Sequence, residues 1–275
     1  MAAKTLLFTS GKGGVGKTTC TANIGVALAA QDSNMNVCMI DMDIGLRNLD
    51  IQLGLENRIV YNLVDVIEGS CKVRQALVKD KRLPNLALLP AAQTRDKTSV
   101  SPEQMVNLVN ELREMFDLIL IDCPAGIEQG FHNSAAAADE AIVVTTAEMS
   151  AVRDADRVIG LLEANPRKIN SWLLVNRLRA SMVKTHDMMS VDDVIEILGI
   201  KLLGVIPEDE KIIVSTNKGE PLSLNATKVI GAGQAFRNVA MRLTGVEVPL
   251  MDIYGESQNI FIKQFNKLKS LIKFK

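Results

Sequence analysis

TLLFTSGKGGVGKTTCTANIGVALAAQ (residues 5–31) decides how the rest of this 275-residue chain is read. A short run rich in Leu and Phe gives way to a loop holding Gly11, Gly13, Gly14 and Gly16, and then to a segment with helical periodicity. Gly11-x-x-x-x-Gly16-Lys17-Thr18 is the Walker A pattern, and a strand before it and a helix after it are the context that pattern requires. Glycines let the backbone curl so that successive N–H groups face phosphate oxygens, and the helix that follows adds the positive end of its dipole. Lys17 is placed to reach the β- and γ-phosphates, and the Thr18 hydroxyl to take a position on Mg²⁺. Lys12 is one cation more than such a loop needs.

Further short runs rich in Val, Ile and Leu follow at VCMIDMD (37–43), LALLP (86–90), DLILID (117–122), EAIVVTT (140–146), SWLLVN (171–176) and LLGVIP (202–207). Segments of helical period separate most of them, clearest at 18–31, 103–116, 153–165 and 233–245. This alternation predicts an α/β fold of the P-loop, Rossmann-like kind: a mostly parallel sheet with helices on both faces. Apolarity that runs on without alternating fits strands covered on both sides.

Ligands of such sheets bind at the carboxyl ends of the strands, so acidic residues there are candidates for holding magnesium and its waters. Asp122 closes one run, and Asp41 and Asp43 close another. Cys123 adjoins Asp122, and a redox switch on hydrolysis is the minor reading of it; His132 and His186 stand without a ligand pattern and read as packing or surface residues. Cys20, Cys38, Cys71 and Cys123 are widely spaced with no C-x-x-C, which fits reduced thiols rather than zinc or a disulfide framework.

The formal charge of -1 conceals an asymmetry: residues 259–275 hold five lysines and no acid, which leaves the first 258 residues at -6. An acidic body argues against broad nonspecific nucleic-acid binding, which depends on neutralising many phosphates. NIFIKQFNKLKSLIKFK (259–275), wound as a helix, places Phe261, Phe265, Leu268 and Ile272 on one stripe, with Lys263, Lys267, Lys269 and Lys273 toward the flanks and far side. The lysines forbid spanning, so this segment is expected to lie in the interface of a membrane rich in anionic lipids. Pro249 and Gly255 mark a break before it. The expected organisation is an ATPase domain over 1–247, a linker over 248–258 and an amphipathic helix over 259–275. No apolar stretch long enough for a signal peptide or a span is present, so the expected location is the cytoplasm and the inner face of the cell membrane.

GKGGVGKTT (11–19) also resembles the deviant Walker A loop of the MinD/ParA ATPases. IDMDIGLRNLD (40–50), TRDK (94–97), DCPAGIE (122–128), SAVRDADRVIG (150–160), GVIPED (204–209) and NKGEP (217–221) extend the likeness over essentially the whole chain, on the division-site side of the family more than the chromosome-partition side. The resemblance implies a Mg-dependent ATP hydrolase that pairs with a second copy when ATP is bound, Lys12 reaching phosphates held by the other subunit. It gives Asp43 the attacking water and Asp122 the support of Mg²⁺, with Asp41 assisting. Residues 11–19, with Val15 and Thr19 among them, wrap the phosphates. Asn176 reads adenine with Arg177 beside it, and Pro207, Glu208 and Asp209 line the base. Glu148 and Asp154 fall on the dimer and partner surface, although TTAEMS (145–150) departs from the Asn-Pro expected before that glutamate. The implied partners are a MinC-like division inhibitor and a MinE-like activator or a topology factor, and the implied task is selection of the septum site. Flagellar-number or partition ATPases of the same superfamily, and a nucleotide-gated scaffold without catalysis, are the rival readings.

Overall fold

The computed structural model describes residues 3–93, 100–224 and 231–254. Within them lie β1 (Lys4–Thr9), β2 (Val37–Asp41), β3 (Val78–Lys79), β4 (Leu86–Leu89), β5 (Leu118–Asp122), β6 (Glu140–Thr146), β7 (Asn170–Leu178) and β8 (Lys201–Pro207). They form one sheet in the order β3-β4-β2-β5-β1-β6-β7-β8, parallel throughout except where β3 joins β4. All seven expected strands are present. The two-residue β3 is additional, and it is too short to leave a periodic signal in the sequence.

The helices are α1 (Lys17–Gln31), α2 (Leu49–Leu53), α3 (Leu63–Ile67), α4 (Val73–Ala76), α5 (Pro102–Arg113), α6 (Gln129–Ala136), α7 (Met149–Glu163), α8 (Ala180–Lys184), α9 (Val191–Leu198), α10 (Lys211–Asn217) and α11 (Ala232–Leu243). Successive strand residues point to opposite faces, and here both faces are apolar. Leu7, Ile119 and Ile121 join one core with α5, α6, α7 and α9, whereas Leu6, Phe8, Leu118 and Leu120 join the other with α1 and α11. That double cover explains why the strands read as continuous hydrophobic runs. Among the described residues no helix is long and apolar enough to cross a membrane.

Register positions the site. β1 is central, with Phe8 opposite Asp122 on β5, and Asp122 in turn opposite Asp41 on β2. On the other flank Thr146 of β6 lies opposite Asn176 of β7. The chain winds to both sides of β1, and a crevice opens at such a reversal, at the carboxyl ends of the strands.

Helix ends differ in a telling way. Ser101 caps α5 and Ser190 caps α9 through reciprocal capping boxes, in which the side chain of the third helical residue also binds the cap's own N–H. α1 starts after Gly16, at φ +87°, with no side-chain cap. Its first N–H groups are therefore left for an external acceptor.

Candidate active site

The phosphate loop runs from the end of β1 to the start of α1, and two of its glycines are required by what lies against them. A Cβ at Gly11 would run into the backbone carbonyl of Asp154 on α7, and one at Gly16 would meet the Asn176 amide nitrogen. The loop is thus wedged between α7 and β7, from segments more than 130 residues away.

Lys17 is buried, and its Nζ donates to Asp122 Oδ1 at 2.9 Å. The Thr21 hydroxyl, one helical turn further on, lies 3.2 Å from the same oxygen. Burial alone would lower the Lys17 pKa, but the surrounding negative groups, Asp122 foremost and Asp43 among them, together hold the ammonium above its usual value. Asp122 Oδ2 is buried with no hydrogen-bond partner among the described residues. A fully buried carboxylate with one idle oxygen, facing a lysine and beside an uncapped helix start, suits magnesium and its bound water.

Asp41 is fully buried, and both of its oxygens are engaged: Oδ1 accepts from the Asp43 N–H at 2.9 Å, and Oδ2 from the Leu49 N–H at 3.1 Å. Burial, then the charge of Asp122 across the register pair, raises its pKa to about 7. Asp41 therefore fastens both ends of the loop 43–49, and it sets where Asp43 stands. Asp43 is partly exposed and close enough to Lys17 and Asp41 to act on both electrostatically. Among the described residues no three His, Cys, Asp or Glu side chains gather into an all-protein metal cage. Mg²⁺ commonly takes one or two carboxylates and fills the rest of its shell with water and phosphate oxygens.

On the opposite side, Asn176 Nδ2 donates to the Val15 carbonyl at 2.8 Å, while its Oδ1 is buried without a partner. Arg177 has φ +57°, so its side chain turns back, with Nε on Glu208 Oε2 at 2.9 Å and Nη1 on the Gly14 carbonyl at 3.3 Å. Asp209 instead holds backbone: its oxygens accept from the N–H groups of Lys211 (3.0 Å) and Ala232 (3.3 Å). Pro207 ends β8. Thr19 accepts from Gln52 Nε2 at 3.0 Å, linking α1 to α2.

Lys12 is exposed, and its Nζ donates to Ser150 Oγ on the first turn of α7 at 3.0 Å. Glu148, the cap position of α7, is exposed beside it. Asp154 faces Gly11 with its carbonyl and lies 3.8 Å from Arg157 through its carboxylate. Sequence reasoning missed Ser150, for which no local signal exists, and Thr21, which the four-residue spacing from Lys17 on a helix could have flagged. Cys123 is buried, and burial pushes its thiol up to about 12, so it lacks the thiolate that redox chemistry needs. TRDK (94–97) and the segment 259–275, with Phe261, Phe265, Leu268, Ile272, Lys263, Lys267, Lys269 and Lys273, lie outside the described residues.

Residues 6–222 match the family model of the CobQ/CobB/MinD/ParA nucleotide binding domain. The chain belongs to this family. Within the CobQ/CobB/MinD/ParA family it is 58% identical over 248 residues to the septum site-determining protein MinD of Synechocystis sp., covering 90% of this chain and 91% of that one. The MinC:MinD cell division protein complex of Aquifex aeolicus superposes with a TM-score of 0.82 at 47% identity, over 90% of this chain and 98% of that chain. The septum site-determining protein MinD of Pyrococcus horikoshii, complexed with Mg-ADP, superposes with a TM-score of 0.77 at 29% identity, over 88% and 96%. The α/β class and the family resemblance expected from the sequence are both borne out.

Proposed function

We infer that this chain is a septum site-determining ATPase, hydrolysing ATP to ADP and phosphate with Mg²⁺ as cofactor. The observation that carries the reading is the buried Lys17–Asp122 pair at 2.9 Å beneath the uncapped start of α1. It joins a phosphate-seeking cation to a carboxylate with a spare oxygen, in a chain whose relatives of 58% and 47% identity are division proteins.

The residues divide the work as follows. N–H groups of 11–19 wrap the phosphates, and Lys17 turns from Asp122 to their oxygens. Thr18 and Asp122, with Asp41 assisting, would hold magnesium, which when bound would supply positive charge at the phosphates. Asp43 orients the attacking water. Asn176 offers its unpartnered Oδ1 to the adenine amino group, with Arg177, Pro207, Glu208 and Asp209 around the base. Lys12 leaves Ser150 and crosses to the γ-phosphate of a second subunit, acting as an arginine finger does when a neighbour supplies it. Hydrolysis then depends on pairing.

The surface around Glu148 and Asp154 receives a MinC-like division inhibitor, and the same face takes a MinE-like activator or a topology factor. Residues 259–275 attach the pair to anionic lipids on the inner face of the cell membrane. A single short amphipathic helix gives marginal attachment, and two on one dimer gain by effective concentration. ATP thereby controls residence on the membrane. ATP turnover measured with anionic liposomes and candidate activators tests site, tail and partner together. Stimulation is the expected result, and turnover indifferent to both would overturn the reading.

A further inference from the structure

Three threonines follow Lys17 in KTTCT (17–21), and the turn of the helix sends each to a different side. Thr18 and Thr19 are half-buried at the mouth of the phosphate loop, and Thr19 is taken by Gln52. Thr21 stands four residues after Lys17, on the same face of α1, and is fully buried against the sheet. The strand face it meets is that of Leu118, Leu120 and Asp122 on β5.

A hydroxyl has one proton to give, and Thr21 has two acceptors for it. The Lys17 carbonyl, one turn back, lies at 3.1 Å, and Asp122 Oδ1 lies at 3.2 Å. One of the χ1 rotamers that threonine keeps in a helix is the one that reaches back to such a carbonyl, and from it the hydroxyl touches both. The carbonyl of a regular α-helix already accepts the N–H four residues on, and a carboxylate is the stronger acceptor. The proton is therefore of most use on Asp122.

Two strand-end carboxylates stand opposite each other in register, and they are held in different ways. Asp41 is fastened at both oxygens by backbone N–H groups. Asp122, among the described residues, is fastened at Oδ1 alone, by the side chains of Lys17 and Thr21, while Oδ2 has no partner. The last torsion of an aspartate is broad and nearly two-fold, so a carboxylate with few anchors turns. Lys17 is the stronger anchor, but it is also the one that turns to the phosphates when nucleotide is bound. Thr21 cannot follow it, because its side chain is short and α1 is pinned: the Ser223 N–H donates to Asn23 Oδ1 at 3.1 Å, and the Ser223 hydroxyl to the Asn23 carbonyl at 2.6 Å.

We propose that Thr21 is a positioning residue for the magnesium site, its hydroxyl holding Asp122 Oδ1 while Lys17 is engaged by phosphate, so that Oδ2 keeps its present orientation toward the metal and its water. This rests on the reading of Asp122 as the carboxylate behind magnesium. The same bond eases the departure of Lys17, since a buried carboxylate oxygen left without any donor carries its full desolvation cost. Beside the ion pair the hydroxyl is a second donor to Oδ1; once the lysine has turned away it is the remaining one. Its loss is accordingly small for the chain alone and large for the chain with magnesium and nucleotide.

The test is calorimetric titration of the full chain with ADP, once with Mg²⁺ and once with EDTA. The ratio of the two dissociation constants is the magnesium enhancement. Thr21→Val keeps the side-chain shape and removes the hydroxyl, and Thr21→Ala is a second hydroxyl-free chain that cannot overpack the site. In both, the enhancement is expected to fall about 10-fold, the scale of one hydrogen bond to a charged group. Thr21→Ser, which keeps the hydroxyl, restores it to within about 2-fold. A lower denaturation midpoint with the enhancement intact would mark a merely structural threonine and overturn the proposal. Equal losses with Mg²⁺ and with EDTA would overturn it too, because they place the hydroxyl's effect on the phosphate loop rather than on Asp122. Wild-type enhancement that Thr21→Val retains removes the role of Thr21 alone, whereas no enhancement in wild type removes the magnesium reading of Asp122 and the role of Thr21 with it.

Discussion

Lys17 and Asp122 form a buried ion pair, Nζ to Oδ1 at 2.9 Å, although 105 residues separate them in the chain. The ammonium of the phosphate loop is thus held inside the protein by a strand-end carboxylate. Removing one partner leaves the other as an uncompensated buried charge.

Asp122→Ala is accordingly expected to destabilise the nucleotide-free chain by about 3–5 kcal/mol, the usual cost of breaking a buried pair from one side. Mg-ADP, which gives Lys17 another anion, restores part of the loss. Chemical denaturation with and without Mg-ADP measures both numbers. Equal sensitivity of wild type and variant to the nucleotide would argue that Lys17 does not change partners.

Asp41 gives a pH signature. Its folded pKa is raised by burial and by Asp122, so between the ordinary carboxylate value and about 7 the folded chain holds a proton that the unfolded chain has lost. Stability then falls as pH rises through that window. Asp41→Asn, which cannot ionise, flattens this slope in the nucleotide-free protein, and its lost acceptor for the Leu49 N–H lowers stability at acidic pH. Denaturant midpoints from pH 4.5 to 8 check the slope.

Gly11→Ala has a steric prediction attached. A methyl at this position meets the Asp154 carbonyl, so either the loop or α7 must shift. Nucleotide affinity is expected to fall at least 10-fold, about 1.4 kcal/mol, with the global fold retained. Calorimetric titration with ADP measures it.

Asn176→Ala removes the bond that ties β7 to the Val15 carbonyl and the oxygen assigned to adenine. A loss of about 1–3 kcal/mol in ATP binding follows, together with poorer discrimination against GTP. Competition of the two nucleotides for the site reads out both effects.

Much of this was legible in the chain because the information was local. The loop GKGGVGKTT, the apolar strands and the strand-end aspartates each announce themselves within a few residues. What depended on register was not. Nothing near Asp122 says that it will stand opposite Asp41 and take Lys17, nor that Asp41 will give both its oxygens to its own loop. Lys12 on Ser150 joins residues 138 positions apart. The short β3 was missed because two residues cannot show a period.

The claim on which the rest depends is that Lys12 works on a second subunit. Its single exposed bond to Ser150, in the range of about 1 kcal/mol for such contacts, leaves it free to be recruited. The most direct test is ATP turnover per chain as a function of protein concentration on anionic vesicles, for wild type and Lys12→Ala. Turnover per chain should rise with concentration and level off as pairs form, and Lys12→Ala should bind ATP normally yet stay at least 100-fold slower throughout, as the loss of a trans-supplied cation implies. Turnover per chain that is flat with dilution, and equal in Lys12→Ala, would contradict it.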